Sequence, residues 1–498
     1  MNASDASSGP RAPRVPWSER LDPVLVKDLR AALRGKLVPV MFLFVLSSGV
    51  TWTAWVVVRG RVEVSHLGPV IAIGAWWLAG FSSAVFLPIW AAVSLGEELD
   101  GHADSLLLAP DLSAWRLVAG KLLAAIVLVL LVLFAVLPFG VFGVYLGGVP
   151  VSAVFELALQ LVGAGVYWSA IGIAVSTVFR ARWARSVGMV GLLAWVLWAN
   201  GFLLYLLRDP SGLASATFGG SWIQALVGSL HVLLVAGLAL AFGAGRIMQA
   251  QESRSTLLRA WCLALVLITS VGAVAATIAG ASDFIGQFYV ERAFQLGALV
   301  TLIVATEPEG LPRVYCARPH APAWRRFADA LLVSGGGRGA LFGCVIAALG
   351  VALVLALRVF DGSAPSAWLA HAPVVLSFPY VLVLLFSGAF EKRNTHPTAT
   401  TRLRLAIAVT WLGVGLTRVL LAPKPGGGEQ FMSLLTDPLG LGHAASGPEP
   451  LLVGLVDGAW PLVVIAMLIL NSQRMLRGAR EVRAVRSPYS SLHAPPQP

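Results

Sequence analysis

The chain reads as an all-α protein, a polytopic transmembrane helical bundle of about twelve spans in two sets of six, with both termini cytoplasmic. Three observations predict this. Of its 498 residues, 57% are hydrophobic and only 12% are charged, more apolar surface than soluble domains of ordinary composition use. Apolar stretches of roughly 20 residues, the length that crosses a hydrocarbon core about 30 Å thick as a helix, recur along nearly the whole sequence. The lysines and arginines collect in alternate connecting segments, as they do on the cytoplasmic side of membrane proteins. The net charge of +11 follows from those retained cations, so no nucleic-acid partner is expected. The composition excludes soluble-enzyme classes.

Residues 1–36 are expected to form a cytoplasmic tail ending in an interfacial helix. They carry Arg11, Arg14, Arg20, Lys27, Arg30, Arg34 and Lys36. The apolar run that follows lacks a short h-region with a small-residue cleavage site, so it is read as a retained first span and not a signal peptide. In "LDPVLVKDLRAALRGK" (21–36), Asp22 suits an N-cap and Pro23 the first helical position. Leu25, Leu29, Ala32 and Leu33 then share one face, and Lys27, Arg30 and Arg34 another. Such a helix lies in the inner interface with its cations toward lipid headgroups or a partner, although a plain positive-inside anchor gives the same pattern.

The spans are placed at 37–58, 67–95, 122–147, 151–179, 186–207, 222–245, 260–280, 285–305, 340–357, 372–390, 405–423 and 451–471. A polar linker, 246–259, divides a six-span core (37–245) from a second six-span region (260–471), and a basic tail (472–498) closes the chain. Of the 36 lysines and arginines, 29 then face the cytoplasm, and only Arg59, Arg61, Arg208 and Lys424 face outward. Span 285–305 holds Glu291 and Arg292, each costing about 2.5–3.5 kcal/mol near a bilayer centre. It is kept because, without it, the basic segments 306–338, 391–404 and 472–498 would all move to the outer face. Prolines 39, 88, 138, 379 and 461 interrupt spans, which membrane helices tolerate. The Gly/Pro-rich stretch 422–450 reads as extracytoplasmic slack.

Between the second and third spans lies "GEELDGHADSLLLAPDLSAWRLVAGK" (96–121). Its run "SLLLAP" is too short to cross a membrane and is expected as a short amphipathic helix or turn resting on the bilayer, with Glu97, Glu98, Asp100 and Asp104 exposed as a docking surface. A solvated loop with idle acids is the competing reading. Gly120-Lys121 is no phosphate loop: a Walker A motif needs a glycine five positions earlier and a Ser or Thr after the lysine, and Trp115 and Leu122 stand there. Gly35-Lys36 fails likewise, and "GGGRG" (335–339) is followed by Ala340 where a dinucleotide fingerprint needs glycine. The eight histidines are scattered, and Cys262, Cys316 and Cys344 make neither a disulfide framework nor a metal site. No catalytic, metal or cofactor residues are expected in this chain. The ionisable residues at or near spans, Glu156, His231, Asp283, Glu291, Arg292, Arg418 and Asp457, are candidates by default.

Glu97, Glu98, Gly101, the leucines 106–108, Pro110, Ser113, Trp115, Leu117, Gly120 and Lys121 resemble the first cytoplasmic loop of type-2 ABC transporter permeases. That loop has an acid, a Gly-Thr pair and a leucine run closing on proline, then S-x-W-x-(I/L)-x-x-G-K. Residues 21–30, "LDPVLVKDLR", resemble the N-P-V-x-x-K-E-L-R opening of the same family. His102 stands where Thr is usual, and Asp111 is an extra residue between Pro110 and Ser113. The resemblance covers about residues 20–245, and the second six spans match only loosely. It implies the membrane subunit of an ATP-driven exporter, while the richness of the chain in Ala, Gly and Arg suggests a bacterial plasma membrane. Two permease units would pair to form a pathway, with ATP hydrolysis on a separate ATP-binding subunit. It also implies that Glu97, Glu98, Gly101, Asp104, Pro110 and Ser113 couple to that subunit and that residues 22–34 form the interfacial helix. A twelve-span secondary transporter, which would want midplane charges and matching halves, and a non-transporting membrane scaffold are the alternatives.

Overall fold

The computed structural model describes residues 23–59, 64–108, 113–147, 149–178, 183, 185–191, 193, 222–248, 255–278, 283–307, 328, 331–333, 335–361, 380, 469 and 472. Among the described residues the chain is helical throughout, without a strand. Among the described residues, seven helices are long and apolar enough to cross a membrane: Leu37–Val58, Leu67–Asp100, Ala114–Tyr145, Val151–Val178, Gly228–Ile247, Thr256–Ala275 and Gly337–Val354. Each falls on a span expected from hydropathy. The expected span 285–305 is a helix, Asp283–Ala305, of which the continuous stretch with described side chains, Arg292–Ala305, is apolar. Span 186–207 is described only as far as residue 193, and spans 372–390, 405–423 and 451–471 lie outside the described residues apart from Tyr380 and Ile469. The chain divides into two compact units, Met1–Phe218 and Gly219–Pro498.

Unit 1 contains α1 (Pro23–Arg34), α2 (Leu37–Arg59), α3 (Val64–Leu108), α4 (Ala114–Tyr145) and α5 (Val151–Val178). Helix α3 is its centre, packing most heavily on α5 and α4. The core joins Met41 and Val45 of α2, Ala72, Ala75 and Ala79 of α3, Leu128 and Val132 of α4, and Leu157 and Leu161 of α5. Alanine and glycine on α3 and α5 let the backbones approach closely, which membrane helices need because lipid supplies no hydrophobic drive between them. Gly172 of α5 rests directly on the backbone of Pro88 in α3, and Gly74 of α3 receives the indole of Trp52, whose Nε1 donates to the Val70 carbonyl at 3.1 Å. Helix α2 turns much of its apolar surface outward, with Val40, Leu43, Val50 and Val57 all more than half exposed.

Three local expectations change. Leu33 was expected on the apolar face of α1 but is 52% exposed, whereas Asp28 is 3% exposed. At 100° per residue Asp28 and Ala32 share a stripe that packs inward, and Leu33 falls beside it. The acidic segment, expected as a turn or separate short helix, instead continues α3 unbroken to Leu108. No proline occurs between residues 89 and 109, and the leucines, alanines and glutamates there keep helical preference after hydropathy falls. Helix α4 starts at Ala114, ahead of the expected 122, so Gly120 and Lys121 lie inside a helix. At its far end Gly147 takes φ +87°, a left-handed conformation natural to glycine, and its N–H reaches the Val144 carbonyl at 3.1 Å.

Unit 2 contains α6 (Trp222–Ile247), α7 (Thr256–Ile278), α8 (Asp283–Ala305) and α9 (Gly336–Asp361). Helix α7 packs on α6, α8 and α9, and α8 packs on α9. Thus α6, placed by sequence in the first six-span set, belongs to the second compact unit. Cys262 and Cys344 are free and buried, while Cys316 lies outside the described residues.

Candidate functional site

The N-terminal motif, the acidic segment and the Gly-Lys pair meet in unit 1. Ser113 caps α4, its side chain accepting from the Arg116 N–H at 3.2 Å. From that start Ala114, Val118, Lys121, Ala125 and Leu128 follow one another on the buried face of α4. Lys121 is therefore turned inward by helical phase, and it is fully buried. A buried ammonium persists only with partners that replace its water. Its Nζ lies 3.2 and 3.1 Å from the two carboxylate oxygens of Asp28 and 2.8 Å from Ser94 Oγ. It also lies 3.2 Å from Glu98 Oε2, a charge contact without hydrogen-bond alignment.

The three partners come from two helices. Asp28 sits on the inward stripe of α1, and Ser94 and Glu98, four residues apart on α3, project from one face. The other oxygen of Glu98 accepts from Lys27 Nζ at 2.9 Å. Lys27, Glu98, Lys121 and Asp28 thus form a chain of alternating charge, two cations and two anions, running from the exposed side of α1 into the bundle. It ties α1 to both α3 and α4. Burial pushes the Asp28 carboxyl above its ordinary value of 3.8, with Lys121 opposing that shift. The hydrogen bond to Glu98 raises the Lys27 ammonium above 10.5.

A second pair braces the same end of α3. Arg185 grips Asp100 with both terminal nitrogens, at 3.2 and 3.1 Å. Its guanidinium passes over Gly96, where a Cβ would collide with it. Of the acids expected to be exposed, Glu97 and Asp100 are exposed as residues and Glu98 is half-buried. The Glu98 side chain is 13% exposed and that of Asp100 18%, and both are engaged within the unit. Gly101 and Asp104 lie on α3 by backbone and Pro23 opens α1, but their side chains are outside the described residues, as are Asp22 and Pro110 entirely. Arg30 and Arg34 are exposed on α1.

Unit 2 has a comparable arrangement. Arg259, on the first turn of α7, is fully buried and lies 3.1 Å from Glu307 Oε2, and its Nη atoms donate to the carbonyls of Leu331 and Gly335, each at 3.2 Å. Glu307 accepts further from Ser255 Oγ at 2.9 Å and the Gly335 N–H at 3.2 Å. Gly335, at φ +141°, turns both its N–H and its carbonyl into this cluster. Among the default candidates, His231 is buried against the ring of Tyr289, 4.9 Å between centroids. Glu156 is partly exposed, 3.4 Å from Gln160 Nε2, and Arg292 is partly buried. The Asp283 and Glu291 side chains, Arg418 and Asp457 lie outside the described residues.

Sequence reasoning missed Asp28, Ser94, Arg185, Arg259 and Glu307. An acid in phase with Ala32 on the apolar stripe of an amphipathic helix was the available signal for Asp28. Comparisons of the chain with protein-family models, with curated proteins and with solved structures return no match.

Proposed function

We propose that the chain is the membrane subunit of an ATP-driven ABC exporter of the type-2 kind, acting with a separate ATP-binding subunit. In this reading twelve spans cross a bacterial plasma membrane, both termini are cytoplasmic and two permease units form the pathway. One observation carries it: the segments on which the resemblance rests, 21–30, 96–110 and 113–121, are joined by the Lys27–Glu98–Lys121–Asp28 chain. A force delivered to the cytoplasmic end of α3 would pass through Glu98 to the interfacial helix and through Lys121 to the next span. Ion pairs with three or four partners suit that task, because they hold geometry even where desolvation leaves them little net stability.

The division of labour among the acids sharpens the test. Glu98 and Asp100 are engaged internally, so Glu97 is the described acid left to meet a basic surface on the ATPase. The full chain, co-expressed with a candidate ATP-binding subunit from a neighbouring reading frame, should retain that subunit on purification. Glu97→Lys should release it while leaving the unfolding midpoint of the membrane protein unchanged. Failure to retain any ATPase, or retention indifferent to Glu97→Lys, would sink the proposal.

A further inference from the structure

We infer that the outward face of α1 binds anionic phospholipid headgroups of the inner leaflet, an interaction that goes beyond the exporter reading and rests on it only for the sidedness of α1. The argument starts from how α1 distributes its charges. Its described acid, Asp28, is turned inward onto Lys121, and Lys27 is drawn to Glu98. Arg30 and Arg34, four residues apart and so on one face, remain exposed, with exposed Lys36 just past the helix end. None of the three pairs with an acid among the described residues, so these three positions present unpaired positive charge within the described part of the chain. This face lies across the helix axis from Asp28 and Ala32, so the packing that buries those two directs the arginines away from the bundle.

What such a face meets follows from its surroundings. Leu33, 52% exposed, flanks the arginines. Only Gly35 and Lys36 separate α1 from α2, which opens with exposed apolar residues, Val40 at 52% and Leu43 at 65%. Outward apolar surface therefore gives way to outward cations within a few residues, the sequence of environments found where acyl chains end and headgroups begin. Charge complementarity selects headgroups of net negative charge, such as phosphatidylglycerol, over zwitterionic ones. Each cation near a charged membrane surface is worth about 1 kcal/mol, or roughly fivefold in affinity.

The test uses the full chain in nanodiscs of phosphatidylcholine containing a minor fraction of spin-labelled phosphatidylglycerol, with the immobilised fraction read as preferential binding. Wild type should favour phosphatidylglycerol over labelled phosphatidylcholine, and the preference should weaken as salt is raised. Arg30→Gln/Arg34→Gln/Lys36→Gln should lose roughly fivefold per cation removed, whereas Arg30→Lys/Arg34→Lys should keep the preference and so exclude misfolding as the cause. An unchanged preference in the triple Gln variant overturns the inference. So does a triple variant that keeps its lipid preference but no longer retains an ATP-binding subunit, because the face would then be a protein-docking surface.

Discussion

Lys121 shows how much one side chain decides here. Replacing it with Met would leave the Asp28 carboxylate buried without its principal cation, a loss of about 3–5 kcal/mol for a broken buried pair. The unfolding midpoint in detergent should fall accordingly, and Lys121→Met/Asp28→Asn should cost less than the two single changes together, because the double variant leaves no orphaned charge. Equal or greater loss in the double variant would show that the pair is not the reason for the burial. The pH dependence runs through Asp28. Its carboxyl is raised above 3.8 in the fold, so just above that pH the folded chain holds a proton that the unfolded chain has released. The stability linked to Asp28 is full below 3.8 and is lost as pH rises through the folded value. Wild type should therefore gain stability relative to Asp28→Asn on acidification through that window, and parallel melting curves against pH would refute this. The sequence made Lys121 visible, as half of a Gly-Lys pair, but not its partners. Asp28 is 93 residues away, and no local pattern states that separation.

At the scale of the element, glycine does two different jobs on α3 and α5. A Cβ at Gly80 meets nothing within 4 Å, whereas at Gly172 it would run into the Pro88 backbone. Gly80→Ala should stabilise by about 0.4–1 kcal/mol by restricting the unfolded chain. Gly172→Ala should destabilise by about 1–3 kcal/mol, since a backbone cannot rotate aside as a side chain does. Thermal melts of the two variants moving in the same direction would contradict this account of α3–α5 packing. Element existence was legible wherever hydropathy was strong: α2, α4, α5, α6, α7 and α9 all appear where twenty-residue apolar runs predict them. Boundaries were not, because hydropathy reports where lipid is favourable and not where a helix stops. Thus α3 continues through Glu97, Glu98 and Asp100 to Leu108, where hydropathy has fallen but the helix has not ended.

For the whole molecule, the sequence conveyed class better than grouping. Composition alone pointed to a helical membrane protein, and the described residues agree. The division into units could not be read from the polar linker 246–259, since α6 precedes that linker and yet packs with α7. Which helices share a core depends on side-chain fit between distant segments, to which a window of charge or hydropathy is blind. The proposed retention of an ATPase through Glu97 belongs to this scale too: it would concern a surface presented by an intact bundle, so its readout must be the assembled chain and not an isolated loop.

Lys121 and Arg259 also differ in when their partners exist. Asp28, Ser94 and Glu98 all precede Lys121 in the chain, so the ribosome has already delivered every group that receives this ammonium by the time it emerges. Arg259 precedes Glu307 by 48 residues and Gly335 by 76. At about 5–20 residues per second, it waits several seconds for its carboxylate and longer for its carbonyls. During synthesis Lys121 can meet its partners as soon as its helix is added, whereas the start of α7 must remain in contact with water, or with the insertion machinery, until the chain beyond α8 has been made.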